Sequence, residues 1–303
     1  MKDFKGKTAF ITGGASGLGF ALAEACCKEG MNVAIVDIRQ DAVEDAVNKL
    51  ADFSGQVFAA VLDITDRDAY ARVADEAEAK FGKLHLLFNN AGIAGARGPL
   101  WEVSYENTDL SLDINLTAVL NGIQVIVPRI LKHGEEGHIV STASKAGLIP
   151  VKDCGLYNLT KRALVAISET LSIDLEGTNV GSSVFCPGPF VTGFGKTSGI
   201  VETMRLGAPS SAPPPKQDID RSAFEGLERP ASQAAARVLR GISRGDLYIF
   251  THAEFKPGFE DRVNAMLRAF PDEPQSEKFK EVFSFLVSNQ IFENQTQVPK
   301  FEG

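Results

Sequence analysis

Tyr157 and Lys161 stand four residues apart in Tyr157-Asn158-Leu159-Thr160-Lys161, and Ser144 lies thirteen residues upstream. On a helix, residues i and i+4 share one face, so the ammonium can sit close to the phenol. A free tyrosine titrates at about 10, too high for a general base at neutral pH. A neighbouring positive charge favours the phenolate and lowers that value. A hydroxyl such as Ser144 can hold a substrate oxygen beside the pair. Together the three groups suit proton transfer between an alcohol and a ketone. The same tyrosine–lysine spacing also occurs as an ordinary surface pair, so its meaning rests on what surrounds it.

The elements that must position these groups alternate along the chain. Apolar runs read as strands at Thr8–Thr12, Asn32–Asp37, Gln56–Leu62, Leu84–Asn89, His138–Ser141, Val180–Cys186 and Leu247–Thr251. Helical spacing falls between them at Phe20–Lys28, Asp41–Leu50, Asp66–Phe81, Tyr105–His133 and Cys154–Glu176. Strands alternating with helices of this length predict a parallel sheet covered on both faces. Strands covered on both faces are expected to be largely apolar, as these are. The fold class is therefore α/β: a Rossmann-type, doubly wound, seven-stranded parallel sheet with a C-terminal helical extension.

The loop Thr12-Gly13-Gly14-Ala15-Ser16-Gly17-Leu18-Gly19 lies between the first strand and the first helix. Glycines there permit a tight turn and let the backbone approach a pyrophosphate at the helix N-terminus. Asp37 closes the second strand, eighteen residues past Gly19. A carboxylate at that place accepts from a ribose 2′-hydroxyl and repels a 2′-phosphate. NAD is expected rather than NADP. Arg39, two residues on, pulls the other way, because an arginine nearby can accept a 2′-phosphate.

Composition excludes several function classes. The chain has 303 residues, 44% of them hydrophobic, and a net charge of −8. No block of Lys and Arg marks a nucleic-acid surface. No unbroken run of about eighteen apolar residues predicts a membrane span. Met1–Lys7 lacks the apolar core of a secretory signal, so a cytoplasmic location is the default. Cys26, Cys27, Cys154 and Cys186 lack C-x-x-C spacing and read as reduced thiols. His85, His133, His138 and His252 are scattered, with no H-E-x-x-H, so no metal is expected.

In this order the motifs resemble the short-chain dehydrogenase/reductase family. They are T-G-x-x-x-G-x-G at Thr12–Gly19, Asp63-Ile64, N-N-A-G at Asn89–Gly92, Asn115, Ser144, Tyr157, Lys161, and Pro187-Gly188 with Thr192. The resemblance covers about residues 4–195. It implies that Asp63 and Ile64 border an adenine, and that Asn90, Ala91 and Gly92 pass beside the cofactor. It implies that Asn115 holds a water linked to Lys161, and that Lys161 also meets the nicotinamide ribose. Pro187, Gly188, Phe190 and Thr192 would wall the nicotinamide. As phenolate, Tyr157 would take the proton of a secondary alcohol while Ser144 holds its oxygen. Each position has a plainer use: Asp63 as a helix cap, Thr192 as a cap or turn residue, Asn115 as a partner for helix backbone.

The family implies one domain over residues 1–255 and a homodimer or homotetramer built on the two long helices. Thr197–Arg229, rich in proline and serine, is read as an irregular lid spanning 193–230. Residues 256–303 form an extension packed on the same domain or a neighbouring subunit, with a helical stripe from Phe259 to Phe270. The M-K-D-F start, the I-V-D-I-R turn and the L-Y-I strand are similar to bacterial Cα-dehydrogenases of lignin-derived aryl ethers. They imply a bulky, apolar or aromatic secondary alcohol, lined by Ile93, Ala94, Leu148, Ile149, Phe190 and Phe194. The alternatives are an NADPH-dependent carbonyl reductase and a cofactor-binding scaffold without activity.

Overall fold

The computed structural model describes residues 1–207 and 228–299. The chain divides into two compact units, Met1–Thr251 and His252–Gly303.

In the first unit, β1 (Thr8–Thr12), α1 (Gly17–Lys28), β2 (Asn32–Asp37), α2 (Gln40–Lys49), β3 (Val57–Val61), α3 (Arg67–Phe81) and β4 (Leu86–Asn89) follow in turn. Then come α4 (Tyr105–Leu112), α5 (Ala118–His133), β5 (Gly137–Thr142), α6 (Gly155–Asp174) and β6 (Val180–Cys186). The unit ends with β7 (Phe190–Val191), α7 (Phe194–Leu206), β8 (Arg229–Pro230), α8 (Ala231–Arg244) and β9 (Tyr248–Phe250). Seven strands form one sheet in the order β3-β2-β1-β4-β5-β6-β9, every pairing parallel. β7 and β8 make a separate two-stranded ribbon.

The order reverses at β1, where β2 lies on one side and β4 on the other. Loops diverge at such a switch point and open a crevice at the carboxyl ends of the strands. Two apolar layers hold the frame rigid. Ala21, Leu22, Val43, Ala46, Val238 and Ile242 pack with β1 and β2 residues on one face. Tyr70, Val73, Ala74, Ile126 and Ile130 pack with Phe10, Leu87 and Ile139 on the other.

Local sequence sets the ends. Asp66 accepts the N–H of Ala69 at 2.9 Å and caps α3, and Gly82 stops it with φ 85°. Gly134 ends α5 in the left-handed region, where only glycine sits without strain.

Three departures from the sequence expectation bear on the site. The helix expected over Tyr105–His133 is interrupted by a π turn at Asp113–Thr117. By length and composition that run would span a membrane, with mean hydropathy 1.5, which its scattered polar residues hide from inspection. It is a core helix, carrying buried Asn115, Asn121 and Gly122. Secondly, the irregular stretch expected from Thr197 opens as helix: α7 runs to Leu206. Residues 208–227, the proline-rich middle of the expected lid, lie outside the described residues. Thirdly, α8 was not anticipated, although Ala234, Ala235, Val238, Leu239 and Ile242 repeat at helical spacing.

The second unit contains α9 (Lys256–Leu267), α10 (Glu277–Val282), α11 (Ser284–Val287) and α12 (Gln290–Gln297). The stripe expected from Phe259 to Phe270 forms α9, but none of that helix is buried. Phe270, Phe279 and Phe285 are exposed.

Candidate active site

The glycine loop closes tightly on the sheet. A Cβ at Gly19 would come within 2.1 Å of the Gly13 carbonyl oxygen, so helix and turn meet only if the residue is glycine. Gly13 has φ 60°, and a Cβ there would touch the Ala91 backbone at 3.0 Å. Thr12 fastens the next strand to this loop. Its hydroxyl accepts the N–H groups of Asn90 and Ala91 at 3.0 and 3.1 Å. The backbone left bare at the start of α1 suits a diphosphate.

At the end of β2, Asp37 is buried and held by Arg39. The guanidinium donates from Nε to Oδ1 at 3.1 Å and from Nη2 to Oδ2 at 3.2 Å. The same Nη2 donates to the Ser16 hydroxyl at 2.7 Å. Asp37 thus presents a carboxylate with lone pairs to spare, while Arg39 is tied to it. Asp63, after β3, accepts from Thr65 at 2.7 Å and forms an ion pair with Arg205 of α7.

At the other end of the crevice, α6 carries Tyr157 and Lys161 one turn apart. The Lys161 ammonium lies 5.7 Å from the centre of the Tyr157 ring and donates to the Thr142 carbonyl at 2.7 Å. Burial pushes Lys161 down to about 8. Tyr157 departs from the sequence argument: burial raises its phenol above the ordinary value, against the opposing pull of the Ser144 hydroxyl. Desolvation disfavours the phenolate and outweighs the Ser144 hydrogen bond. Ser144 leaves β5 in extended conformation and accepts the N–H of Ala146 at 3.1 Å.

Asn115 sits in the π turn, fully buried. Its side chain accepts from the Ile93 N–H at 2.8 Å and donates to the Ile93 carbonyl at 2.9 Å. Its partner is thus loop backbone, not the helix backbone foreseen as its plainer use. A Cβ on Gly92 would nevertheless meet Asn115 Oδ1 at 3.0 Å and Lys161 Nζ at 3.3 Å, so both head groups converge on that glycine.

One cleft joins these ends. Gly13, Ser16, Gly17, Leu18, Asp37, Arg39, Asp63, Ile64, Asn90, Ala91 and Gly92 line it, as do Ser144, Tyr157, Lys161, Pro187, Gly188, Phe190 and Thr192. Gly19 and Asn115 stand behind its wall. Of the expected substrate-side residues, Ile93, Phe190 and Phe194 line the cleft, while Ala94, Leu148 and Ile149 do not. Leu148 packs instead beside Val119, Ala143 and Leu164. Ile38 and Ile114 line it without having been anticipated, and Thr197 and Val201 line it from within the segment expected as a lid, though not as named residues. Ile38 follows Asp37 directly and was within reach of sequence reasoning; Val201 was not, because α7 was not foreseen. The Phe194 ring lies 6.1 Å from that of Tyr157.

His85, His133 and Glu135, none of which lines this cleft, bring their ligand atoms within 4.8 Å of one another. Their atoms already satisfy each other. His85 Nε2 meets Glu135 at 3.1 Å, His133 Nε2 donates to the Leu84 carbonyl at 2.8 Å, and Lys7 and Lys83 both pair with Glu135. Two ammonium groups on the single carboxylate oppose a bound cation.

The sequence profile of the short chain dehydrogenases matches residues 7–200. A C alpha-dehydrogenase of Sphingobium sp. is 34% identical over 274 residues, 88% of this chain and 87% of its own length. A 1-deoxy-11-beta-hydroxypentalenate dehydrogenase of Streptomyces avermitilis is 34% identical over 262 residues, 86% of this chain and 90% of its own. A short chain dehydrogenase/reductase from Burkholderia phymatum, solved in complex with NAD, superposes with TM-score 0.79 at 33% identity, covering 91% of this chain and all of that one.

Proposed function

Because the chain belongs to the short-chain dehydrogenase family, an oxidoreductase family acting on alcohols, we propose that it interconverts a bulky, apolar or aromatic secondary alcohol and its ketone with NAD. The observation that carries the reading is the meeting of Ser144, Tyr157 and Lys161 on one wall of a cleft that ends at Asp37. Support for NAD comes from the pairing of Arg39 with Asp37. The carboxylate faces the place of a 2′-oxygen, and the guanidinium is engaged with it rather than free for a phosphate.

Glycine loop, Asp37, Asn90–Gly92 and Pro187–Thr192 would hold the dinucleotide, whose nicotinamide supplies the hydride acceptor. Tyr157 then takes the hydroxyl proton in oxidation and returns it in reduction. Ser144 braces the substrate oxygen. Lys161 keeps its ammonium on the Thr142 carbonyl, 5.7 Å from the Tyr157 ring centre, and Asn115 fixes the backbone of Ile93. The apolar walls, Ile93, Phe190, Phe194 and Val201, exclude water and favour a bulky substituent. The same reading places the protein in the cytoplasm as a homodimer or homotetramer. Exposed Leu120 and Leu131 on α5 and Leu159 and Ile173 on α6 support such contacts.

Initial rates with NAD and with NADP, across secondary alcohols from small aliphatic to 1-arylalkanols and aryl ethers, test the proposal. Turnover of the aryl alcohols with NAD is expected. Turnover with NADP alone, or of small aliphatic alcohols alone, would overturn it.

A further inference from the structure

Phe194, Thr197 and Val201 of α7 line the cleft. Spaced three and four residues apart, they share one face of the helix. At one end the Phe194 ring stands beside Tyr157. Further along, Val201 packs with Ile93 and Ile114, and Ile38 and Ile64 pack against the same cluster. At the far end Arg205 pairs with Asp63. The helix therefore runs from the reacting end of the cleft to its Asp63 end. Of the three α7 residues that line the cleft, only Thr197 has a polar side chain.

The hydroxyls of α7 are not used alike. Ser198 donates to the Phe194 carbonyl at 2.9 Å, and Thr203 donates to the Gly199 carbonyl at 2.7 Å. Such a bond to the carbonyl four residues back is a common use of a hydroxyl inside a helix. Ser198 also accepts the N–H of Ala94 at 2.9 Å, which ties the start of α7 to the loop after Gly92. Thr197 differs. Its N–H closes the first turn on the Gly193 carbonyl at 3.0 Å, but its hydroxyl has no hydrogen-bond partner among the described residues. That first turn faces the start of α1. A Cβ on Gly17, which opens α1, would lie 3.2 Å from both the Cβ and the carbonyl oxygen of Thr192. The Thr192 hydroxyl in turn accepts the N–H of Phe194, the first residue of α7, at 3.3 Å. Gly13, Ser16, Gly17 and Leu18 on one side and Thr197 on the other thus border the same stretch of cleft.

We propose that the Thr197 hydroxyl donates to a diphosphate oxygen of the dinucleotide, opposite the N–H groups of α1, so that the cofactor is clasped between two helices. A diphosphate seated on the start of α1 turns some of its oxygens towards that helix and the rest towards α7. A hydroxyl that donates to a charged oxygen makes a stronger bond than one between neutral groups, and Thr197 is free to make it. Phe194 and Val201 flank it with apolar surface. This inference rests on the dehydrogenase reading and adds to it a binding residue on the roof of the cleft.

Calorimetric binding of NADH, ADP-ribose and adenosine to the wild-type protein, Thr197→Val and Thr197→Ser tests it. Valine keeps the shape and removes the hydroxyl; serine keeps the hydroxyl. Thr197→Val should bind NADH and ADP-ribose about 5- to 20-fold more weakly, by the same factor for both, because the two share the diphosphate. Adenosine, measured by competition, should bind all three proteins alike, and Thr197→Ser should recover most of the loss. The thermal midpoint of ligand-free Thr197→Val should match that of the wild-type protein, since the hydroxyl bonds no described group. Unchanged affinity for ADP-ribose, an equal loss for adenosine, or a lowered midpoint would overturn the proposal. So would a rise in the KM of the alcohol with ADP-ribose affinity intact, which would move the hydroxyl to the substrate. ADP-ribose does not react, so the two readings fail separately. Weakened ADP-ribose binding in Thr197→Val, with no alcohol turned over by the wild-type protein, would keep the site and sink the dehydrogenase reading. Turnover with unchanged ADP-ribose affinity would do the reverse.

Discussion

Tyr157 and Lys161 both titrate away from their ordinary values, and in both cases burial is the first cause. A raised phenol is the acid form in the empty site, ready to give a proton to a ketone oxygen. For alcohol oxidation it must first lose that proton, so the oxidation rate should climb with pH through the neutral and alkaline range. A rate that falls from pH 7 to 9, with the protein still folded, would contradict this. Tyr157→Phe should cut turnover by at least about 100-fold and leave cofactor binding, read by fluorescence, in place. At the opposite end of the cleft, Asp37→Ser removes the charge facing the 2′-position and releases Arg39. The NAD-to-NADP ratio of kcat/KM should shift towards NADP by about tenfold or more. An unchanged ratio would place the discrimination elsewhere.

Two helices carry consequences of their own. α7 spans the cleft, with Phe194 against Tyr157 at one end and Arg205 on Asp63 at the other. The ion pair is partly exposed, so its contribution is modest. Arg205→Gln should raise the KM for the dinucleotide by up to about fivefold, with little change in thermal stability. A normal KM would show that this end of α7 does not bear on the cofactor. α8 matters instead to the frame. Ile242 is fully buried among α1 and the sheet, and Ile242→Ala leaves a cavity there. Chemical denaturation should report a loss of about 2–5 kcal/mol, without a shift in cofactor preference. The π turn in front of α5 has the opposite character. It places Asn115 against Ile93, and the extra residue in the turn aims that side chain at the glycine beside Lys161.

Over the whole molecule, the buried histidine of β5 sets the acid limit. His138 is held down to about 3 by burial, with Nε2 2.7 Å from the Ser183 hydroxyl. Its unfolded counterpart takes a proton at 6.5. Between those values the unfolded state binds more protons, so stability rises with pH and is lost as pH falls from 6.5 towards 3. By pH 5 the single group costs about 2 kcal/mol. His138→Gln should flatten the acid limb of the denaturation midpoint between pH 7 and pH 5; an unchanged slope would assign the loss to other groups.

Much of this was legible in the chain. Seven largely apolar runs, each followed by a turn and alternating with helices, pointed to a parallel sheet because strands covered on both faces are mostly apolar. The glycines at 13, 17 and 19, Asp37, and the Ser144–Tyr157–Lys161 spacing identified the crevice, since those residue types have few other reasons to stand in that order. What the sequence alone did not contain was the balance of opposing effects that depends on neighbours distant along the chain. Lysine beside tyrosine argued for a lowered phenol, but burial of the side chain in the assembled fold raises it instead. Arg39 read from sequence as a group that could also take a 2′-phosphate; only the fold showed its fork closed on Asp37. Leu148 and Ile149 were as apolar as Ile93, yet only Ile93 faced the cleft, because the π turn and Asn115 fixed its backbone. Residue type and local spacing determined which groups are present; desolvation and packing direction, which exist only once the elements are assembled, decided what each of them does.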